Sequence, residues 1–285
     1  MLLLTEEQKR SYDADGFVLL DNVFTTEEVD EISAAYDSVF ARALEANSQM
    51  EGTWSGDWQR KGMPQGRGFT VHSIHNLQYH DAVFLRLLTH RKLLDACSDV
   101  MNTENILLHH TKAHVKPPGR GSPYPMHQDY HYFPFRHDSM VAVFIHLDDS
   151  DISNGCLAVY PGSHRQGPQT DCSSDPGYHH VDQTKFPLAS ASPLQARRGQ
   201  VLIFSYLLVH GSYANLSERA RRMLLIQVRF CVDPLMAAED EPLKAMHVSP
   251  SQGLCLRGAN RRAETDIRRR HLQSSQVQEY EKDAQ

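Results

Sequence analysis

Hydrophobic positions in the first hundred residues recur at the spacing of amphipathic helices. In TTEEVDEISAAYDSVFARALEAN the apolar side chains lie three or four residues apart, which predicts a helix with one buried face. The segment TEEQKRSYDADG opens at Thr5, has Gln8 at the capping-box position and closes at Gly16, which predicts a capped helix. The run AVFLRLLTHRKLLDACSDVM predicts another helix, and FVLLDNVF predicts a short strand between the first two helices.

The pattern changes to strands after about residue 104. Helices followed by several strands, without alternation between the two, predict an α+β protein around an antiparallel barrel or sandwich. We expect a single domain over residues 1–285, with a helical part at about 1–104, a strand core at about 105–233 and a C-terminal extension at 234–285. The runs that are rich in β-branched and aromatic residues are NILLHHTKAHVK, MVAVFIHL, GCLAVY, GQVLIFSY and RMLLIQVRF.

Two segments lack a clear pattern. Residues 48–70 are rich in glycine and contain both tryptophans, so they form either a packed surface loop or a lid near a ligand. The tail from Leu254 carries six arginines up to Arg270. Its simplest interpretation is a solvated helix or a frayed end.

Composition restricts the class of protein. A charged fraction of 22% and a hydrophobic fraction of 40% in 285 residues indicate an ordinary globular chain, and a net charge of −6 gives no general attraction to nucleic acid or anionic membranes. Five scattered cysteines without a CxxC pair favour reduced thiols. The start, MLLL, is too short for a signal peptide, the end, DAQ, is not a peroxisomal address, and no apolar run reaches membrane length. We therefore expect a cytoplasmic protein with a small-molecule partner; its oligomeric state is left open.

The segment HQDYHYFPFR contains a candidate metal site. His127 and Asp129 supply an imidazole and a carboxylate, and His210, at the end of the apolar run VLIFSYLLVH, is the best candidate for a third ligand. Two imidazoles and one carboxylate leave open positions on an octahedral iron for oxygen and for an oxidisable co-substrate. The His-x-Asp pair or a single histidine often occurs without binding a metal, so the prediction depends on further residues in the same pattern.

A downstream arginine makes the pattern more specific. A 2-oxo dicarboxylate that chelates iron needs its far carboxylate held, and arginine does this with two parallel charge-assisted hydrogen bonds. Arg221 opens the strand RMLLIQVRF, but Arg219 and Arg222 are adjacent alternatives that periodicity does not separate.

These residues resemble the phytanoyl-CoA dioxygenase family of Fe(II)- and 2-oxoglutarate-dependent oxygenases. The motifs are HQDYHYFPFR, NGCLAVYPGSH, GQVLIFSYLLVHGSYANLSERAR and, more loosely, DADGFVLLDNVFTTEEV, within roughly residues 5–233. The resemblance implies a double-stranded β-helix, a cupin-like jelly roll, buttressed by N-terminal helices. It implies that iron is bound by His127, Asp129 and His210.

The resemblance also implies further contacts with 2-oxoglutarate. Arg221 matches the arginine that holds the far carboxylate, and Ser212 matches a hydroxyl that assists it. Gln128 and Lys112 are further expected co-substrate contacts, although the family places a different side chain at the position of Lys112. Alternation along LLHHTKAHVK puts Lys112 on one face with His110 and His114.

The implied activity is hydroxylation of an apolar small molecule with O₂. The first candidate is the α carbon of an acyl-CoA, and the alternative is a natural product. Asp129 favours hydroxylation because halogenating relatives have a small residue there. Ile145 stands where the human-type hydroxylase has an aromatic residue beside the co-substrate, which leaves the main substrate open.

Several interpretations stay open beside this one. Tyr132, Phe133 and Phe135 line the substrate pocket or belong to the core, and His164 or Arg165 lies near substrate unless PGSH is only a turn. The tail arginines bind the phosphates of a CoA thioester or form a solvated face.

Two other classes of protein remain as alternatives. A hydrolytic zinc enzyme accepts the same ligands but gives an arginine at the head of the strand no purpose. A catalytically silent cupin-like binding protein predicts decay of the triad or of that arginine.

Overall fold

The computed structural model describes residues 3–46, 72–174, 178–231 and 253–264. The Gly-rich segment 48–70, for which a loop or lid is predicted, lies outside the described residues.

Capping boxes begin the first two helices. Thr5 accepts a hydrogen bond from the Gln8 backbone at 3.2 Å, and the Gln8 side chain accepts one from the Thr5 backbone at 2.8 Å. Thr25 and Glu28 repeat both distances. The predicted caps of the first helix are therefore confirmed, including Gly16, whose φ of 84° closes it in the left-handed region. The described α-helices are α1 (Glu6–Asp15), α2 (Thr26–Glu45), α3 (Ala82–Leu88) and α4 (Arg91–Met101).

The prediction of a single helix across α3 and α4 was wrong. The Thr89 hydroxyl bonds back to the carbonyls of Leu85 and Arg86, at 3.3 and 3.2 Å. His90 is extended, with φ −64° and ψ 123°, and its side chain accepts a hydrogen bond from the Leu93 backbone. Side chains that bond to nearby backbone end one helix and cap the next, and periodicity alone does not register such a break.

Two antiparallel sheets form the core. The major sheet has the order β1-β8-β5-β10-β3-β11, with β2 also paired to β3, and the minor sheet has the order β4-β9-β6-β7. All five predicted strands are present. The described strands are β1 (Phe17–Leu20), β2 (His72–His75), β3 (Ile106–Lys116), β4 (Tyr124–His127), β5 (Val141–His146), β6 (Leu157–Val159), β7 (Ser192–Leu194), β8 (Val201–Ser205), β9 (His210–Ser212), β10 (Arg221–Phe230) and β11 (Cys255–Arg257).

The major sheet carries apolar side chains on both faces. Outward side chains such as Val143 and Leu224 pack with the helices in one cluster, while inward side chains such as Phe144 and Met223 pack against Leu157 of the minor sheet. Alternation along each strand separates the two clusters. This arrangement of helices against a two-sheet sandwich confirms the predicted α+β jelly roll.

Part of the C-terminal tail is a strand. Cys255 and Arg257 of β11 pair with Leu107 and Ile106 of β3, so the prediction of a helix or frayed end was wrong for this stretch. A strand of three residues gives too little pattern to be recognised. In the described parts of the chain, no helix is both long and apolar enough to cross a membrane.

Candidate metal centre and co-substrate site

Strands β4 and β9 bring the three candidate ligands together. His127 ends β4 and pairs directly with His210, the first residue of β9, and Asp129 begins a 3-10 turn just after β4. Asp129 Oδ1 lies 3.7 Å from Nε2 of each histidine, and the two imidazole centroids are 4.2 Å apart. One ligand atom from each residue fits within 4.8 Å of the others, and all three residues are buried.

Hydrogen bonds orient each ligand for a metal. Nδ1 of His127 lies 2.9 Å from the Pro125 carbonyl, and Nδ1 of His210 lies 2.9 Å from the Leu208 carbonyl. A carbonyl only accepts, so each Nδ1 carries the proton and each Nε2 offers a lone pair to the centre. Burial, and next the proximity of His210, hold the pKa of His127 well below its usual range, so its imidazole is neutral.

The carboxylate is positioned as well. The Gln227 side chain donates to Asp129 Oδ2 at 2.9 Å, which leaves Oδ1 facing the two histidines. Burial raises the pKa of Asp129, as expected for a buried carboxyl group that lacks a full counter-charge. Two neutral imidazoles and one carboxylate fit a divalent metal with open coordination positions.

Arg221 is a buried cation that pairs with no acid among the described residues. It is 2% exposed, and its Nε and Nη1 atoms have no hydrogen-bond partner in that part of the chain. By contrast, Arg219 pairs with Asp151 at 2.5 Å and Arg222 pairs with Asp148 at 2.7 Å. The register of β10 therefore turns Arg221 inward and leaves the other two satisfied at the surface. Burial lowers the pKa of Arg221 to about 10, so the guanidinium stays charged at neutral pH.

Ser212 and an unpredicted lysine lie beside Arg221. Lys116 is 1% exposed, faces Arg221 across the β3–β10 pairing and donates to Ser212 Oγ at 2.7 Å and to the Tyr213 carbonyl at 2.5 Å. The alternation noted for His110, Lys112 and His114 points to Lys116 when it is extended by two residues, so the signal was present in the sequence.

The inward face of β3 follows the predicted alternation. Lys112 interacts electrostatically with Asp129, and burial lowers its pKa to about 8 against that attraction. His110 interacts with Gln227 and lies 2.9 Å from Nδ1 of His75. A band of polar side chains therefore runs from the metal ligands to the edge of the sheet.

Gln128 points away from this site. Its amide nitrogen donates to the carbonyls of Gly167 and Leu207, at 3.1 and 2.6 Å, and its oxygen accepts from the Gln169 backbone at 2.8 Å. The backbone is extended at Gln128, so its side chain lies opposite those of its neighbours His127 and Asp129. The predicted co-substrate contact was wrong here, and the amide instead ties loops together.

Ile145 also lies outside the site. It is fully buried in the outer cluster, among the helices, whereas Phe144 and His146 precede and follow it on the inward face of β5. The position that the resemblance sets beside the co-substrate therefore lies on the outer face of β5, and a slip of one residue changes the face of a strand.

The aromatic cluster divides between core and site. Phe135 packs with Met140 and Tyr206 in a separate small core. Tyr132 lies with its ring centroid 6.4 Å from that of His127 and 4.6 Å from that of His179. Tyr132 is thus the member that faces the candidate ligands, while Phe135 is a core residue. Phe133 packs edge-on against His109, with centroids 4.3 Å apart.

The PGSH segment forms a turn against α1. Gly162 has a φ of 77° and the 3-10 turn Ser163–Gln166 follows it. His164 packs on Gly16, where an added Cβ would come within 2.4 Å of its Nδ1, and Arg165 is exposed. The predicted turn at Pro161 and Gly162 is therefore confirmed.

A family model matches the chain over residues 12–223, from α1 to the start of β10, and is described as phytanoyl-CoA dioxygenase. The chain belongs to this family. The match spans α2 to α4, the whole minor sheet, most strands of the major sheet and every candidate ligand. Membership confirms the prediction of a dioxygenase of the class that uses Fe(II) and 2-oxoglutarate.

Relatives in the family act on different substrates. Mouse peroxisomal phytanoyl-CoA dioxygenase is 26% identical over 78% of this chain and 67% of its own length. A probable alpha-ketoglutarate-dependent hypophosphite dioxygenase from Stutzerimonas stutzeri is 28% identical over 77% of both chains.

Solved structures share the fold. The non-heme alpha ketoglutarate dependent carbocyclase SnoK from nogalamycin biosynthesis has a TM-score of 0.68 at 21% identity, covering 90% of this chain and 95% of its own. EctD from S. alaskensis with 2-oxoglutarate and 5-hydroxyectoine has a TM-score of 0.68 at 20% identity, covering 90% and 87%.

Proposed function

We propose that the protein binds Fe(II) through His127, Asp129 and His210 and uses 2-oxoglutarate and O₂ to hydroxylate a small organic molecule. The observation that carries the proposal is the guanidinium of Arg221, buried at the head of β10 with Nε and Nη1 unpartnered among the described residues. Leaving a buried charge without a partner is costly, so the site requires an anion. When bound, the metal supplies oxygen activation while 2-oxoglutarate is decarboxylated to succinate.

The protein's own residues then have defined tasks. The carbonyls of Pro125 and Leu208 hold both imidazoles in the tautomer that offers Nε2, and Gln227 holds Asp129. Arg221 binds the far carboxylate of 2-oxoglutarate, with Ser212 beside it. Burial of the three ligands between the strands keeps bulk water away from them.

The first candidate substrate is an acyl-CoA, oxidised at the carbon next to the thioester carbonyl. Similarity to phytanoyl-CoA dioxygenases supports it. The alternative is a natural product with polar groups. The side chains near the ligands favour it because they are polar, namely Lys112, His110 and Tyr132, whereas Phe135 packs in the core and is not available to an acyl chain. The proposal places the reaction in the cytoplasm, where the five free cysteines would stay reduced.

Succinate formation from 2-oxoglutarate tests the proposal. We expect purified protein to release succinate with Fe(II), but not with Zn(II) in its place or after chelation. A hydrolytic zinc enzyme would show the opposite metal preference for its own reaction. A silent binding protein would release no succinate with either metal, and that result in protein shown to contain iron would refute the proposal.

A further inference from the structure

Two buried basic side chains lie where the far carboxylate of 2-oxoglutarate would bind. Lys116 is 1% exposed and Arg221 is 2% exposed, and they are direct neighbours in the pairing of β3 with β10. Each raises the cost of charging the other, and a second positive charge in a buried place needs compensation. Charging both side chains would therefore place an uncompensated positive charge in the site.

No acid of the described residues balances Lys116. Its amine faces the Ser212 hydroxyl and the Tyr213 carbonyl on the β9 side, the Tyr124 ring of β4 with 5.7 Å from Nζ to the centroid, and Arg221 of β10. The Cys156 thiol also acts on it. Burial raises the pKa of Tyr124 to about 12 and that of Cys156 to about 11, so both are neutral at neutral pH.

The hydrogen bonds of Lys116 fit an uncharged amine. A neutral amine has two N–H groups, and the Ser212 Oγ and Tyr213 carbonyl accept two hydrogen bonds from Nζ. An ammonium has three N–H groups, and the third needs another acceptor. A carboxylate placed at Arg221 supplies that acceptor.

We propose that binding of a dicarboxylate at Arg221 is coupled to the uptake of one proton by the Lys116 amine. This inference rests on the proposed function, because it takes 2-oxoglutarate as the dicarboxylate. No covalent bond changes: the proton comes from solvent, and the amine becomes an ammonium that donates its third N–H to the carboxylate. In the complex, the carboxylate then interacts with two cations. This attraction offsets the free-energy cost of desolvating the three charges.

Electrostatics sets the direction of the pH dependence. Burial, and next the charge of Arg221, hold the pKa of Lys116 well below its usual range in the empty protein, and an adjacent carboxylate raises it. Proton uptake therefore occurs between the two pKa values. Within that window the affinity for 2-oxoglutarate falls as pH rises, by at most about tenfold per pH unit for one coupled proton.

Calorimetry measures the coupling directly. We would titrate 2-oxoglutarate into protein loaded with Mn(II), which prevents turnover, in phosphate and in Tris at the same neutral pH. The slope of binding enthalpy against buffer ionisation enthalpy gives the number of protons taken up. We expect close to one proton for the wild type, and close to none for Lys116→Arg and Lys116→Met.

Lys112 is the alternative proton acceptor, because it lies on the same face of β3 and its pKa is also lowered. Lys92→Met, at an exposed lysine of α4, is the control and should keep the uptake of one proton. The inference is overturned if the wild type takes up no proton, or if the uptake is lost in Lys112→Met and kept in a folded Lys116 variant. Absence of any 2-oxoglutarate binding in Mn(II)-loaded wild type would instead refute the proposed function.

Discussion

Histidine tautomers decide what the candidate centre can bind. His127 and His210 each fix Nδ1 on a backbone carbonyl two residues earlier in the chain, so the ligand atom is preset before a metal arrives. The carbonyls belong to the strand β4 and to the turn that leads into β9, both of which are buried. Affinity for metal therefore depends on local backbone geometry and does not require the metal to shape the site.

His210→Ala should abolish metal binding and succinate formation while leaving the fold intact. None of the four apolar clusters in the described residues includes a metal ligand, so folding does not depend on iron. Metal binding is checked by the metal content after gel filtration, activity by succinate release, and the fold by the circular dichroism spectrum. His80→Ala, an exposed histidine, is the control. Full turnover of His210→Ala without added imidazole would remove His210 from the ligand set.

Arg221→Ala should raise the 2-oxoglutarate concentration needed for turnover far more than it changes iron affinity. Truncating one partner of a buried charge-assisted contact costs about 2–4 kcal/mol, or roughly 30- to 1000-fold in apparent affinity. The KM for 2-oxoglutarate and a separate iron titration measure the two effects.

Arg219→Ala is the matched control, since Arg219 forms an exposed pair with Asp151 and should leave the KM nearly unchanged. A large rise in KM for Arg219→Ala or Arg222→Ala, with none for Arg221→Ala, would show that the inward residue was assigned incorrectly.

At the scale of helices and strands, the prediction that rests on a capping motif was correct, whereas periodicity did not reveal local breaks. The Thr5–Gln8 capping box is visible as two residues at a fixed spacing, and the structure has it. The break at Thr89 depends on a hydroxyl that folds back on its own helix, which neither spacing nor propensity encodes. His109 is a bulge residue in β3, where the register to β10 shifts, and nothing in an unbroken β-rich run indicates an extra residue.

Thr25→Ala should destabilise the protein without changing its activity. Thr25 satisfies a backbone donor at the start of α2, and loss of such a cap costs about 1 kcal/mol. Chemical denaturation measures the loss in the free energy of unfolding, and succinate release should be unaltered below the transition. Thr26→Ala, one residue later and equally exposed, should change stability by less than about 0.5 kcal/mol. Equal losses in both variants would mean that the capping bond contributes nothing.

At the scale of the whole molecule, the sequence gives the order of the site residues but not their surroundings. His127, Asp129, His210 and Arg221 are recognisable because the family pattern keeps their order along the chain. Whether Arg219, Arg221 or Arg222 faces inward depends on strand register, which is set by the pairing of β10 with β3 and β5. Register also determines that Ile145 lies on the outer face of β5. The pairing of β11 with β3 joins residues that are far apart in the chain, so no local pattern predicts it.

The substrate is the property that the fold constrains least, because one superfold serves many reactions. If an acyl-CoA is the substrate, branched or straight acyl-CoAs should accelerate succinate release above the basal rate. The product should gain one oxygen atom from labelled O₂, measured by mass spectrometry, because coupled turnover places oxygen on the substrate and uncoupled turnover does not. The matching free acids test whether CoA itself is recognised, and polar cyclic metabolites test the alternative favoured by Lys112 and Tyr132. If every acyl-CoA leaves the basal rate unchanged, the thioester proposal fails, while basal succinate release would still support an oxygenase.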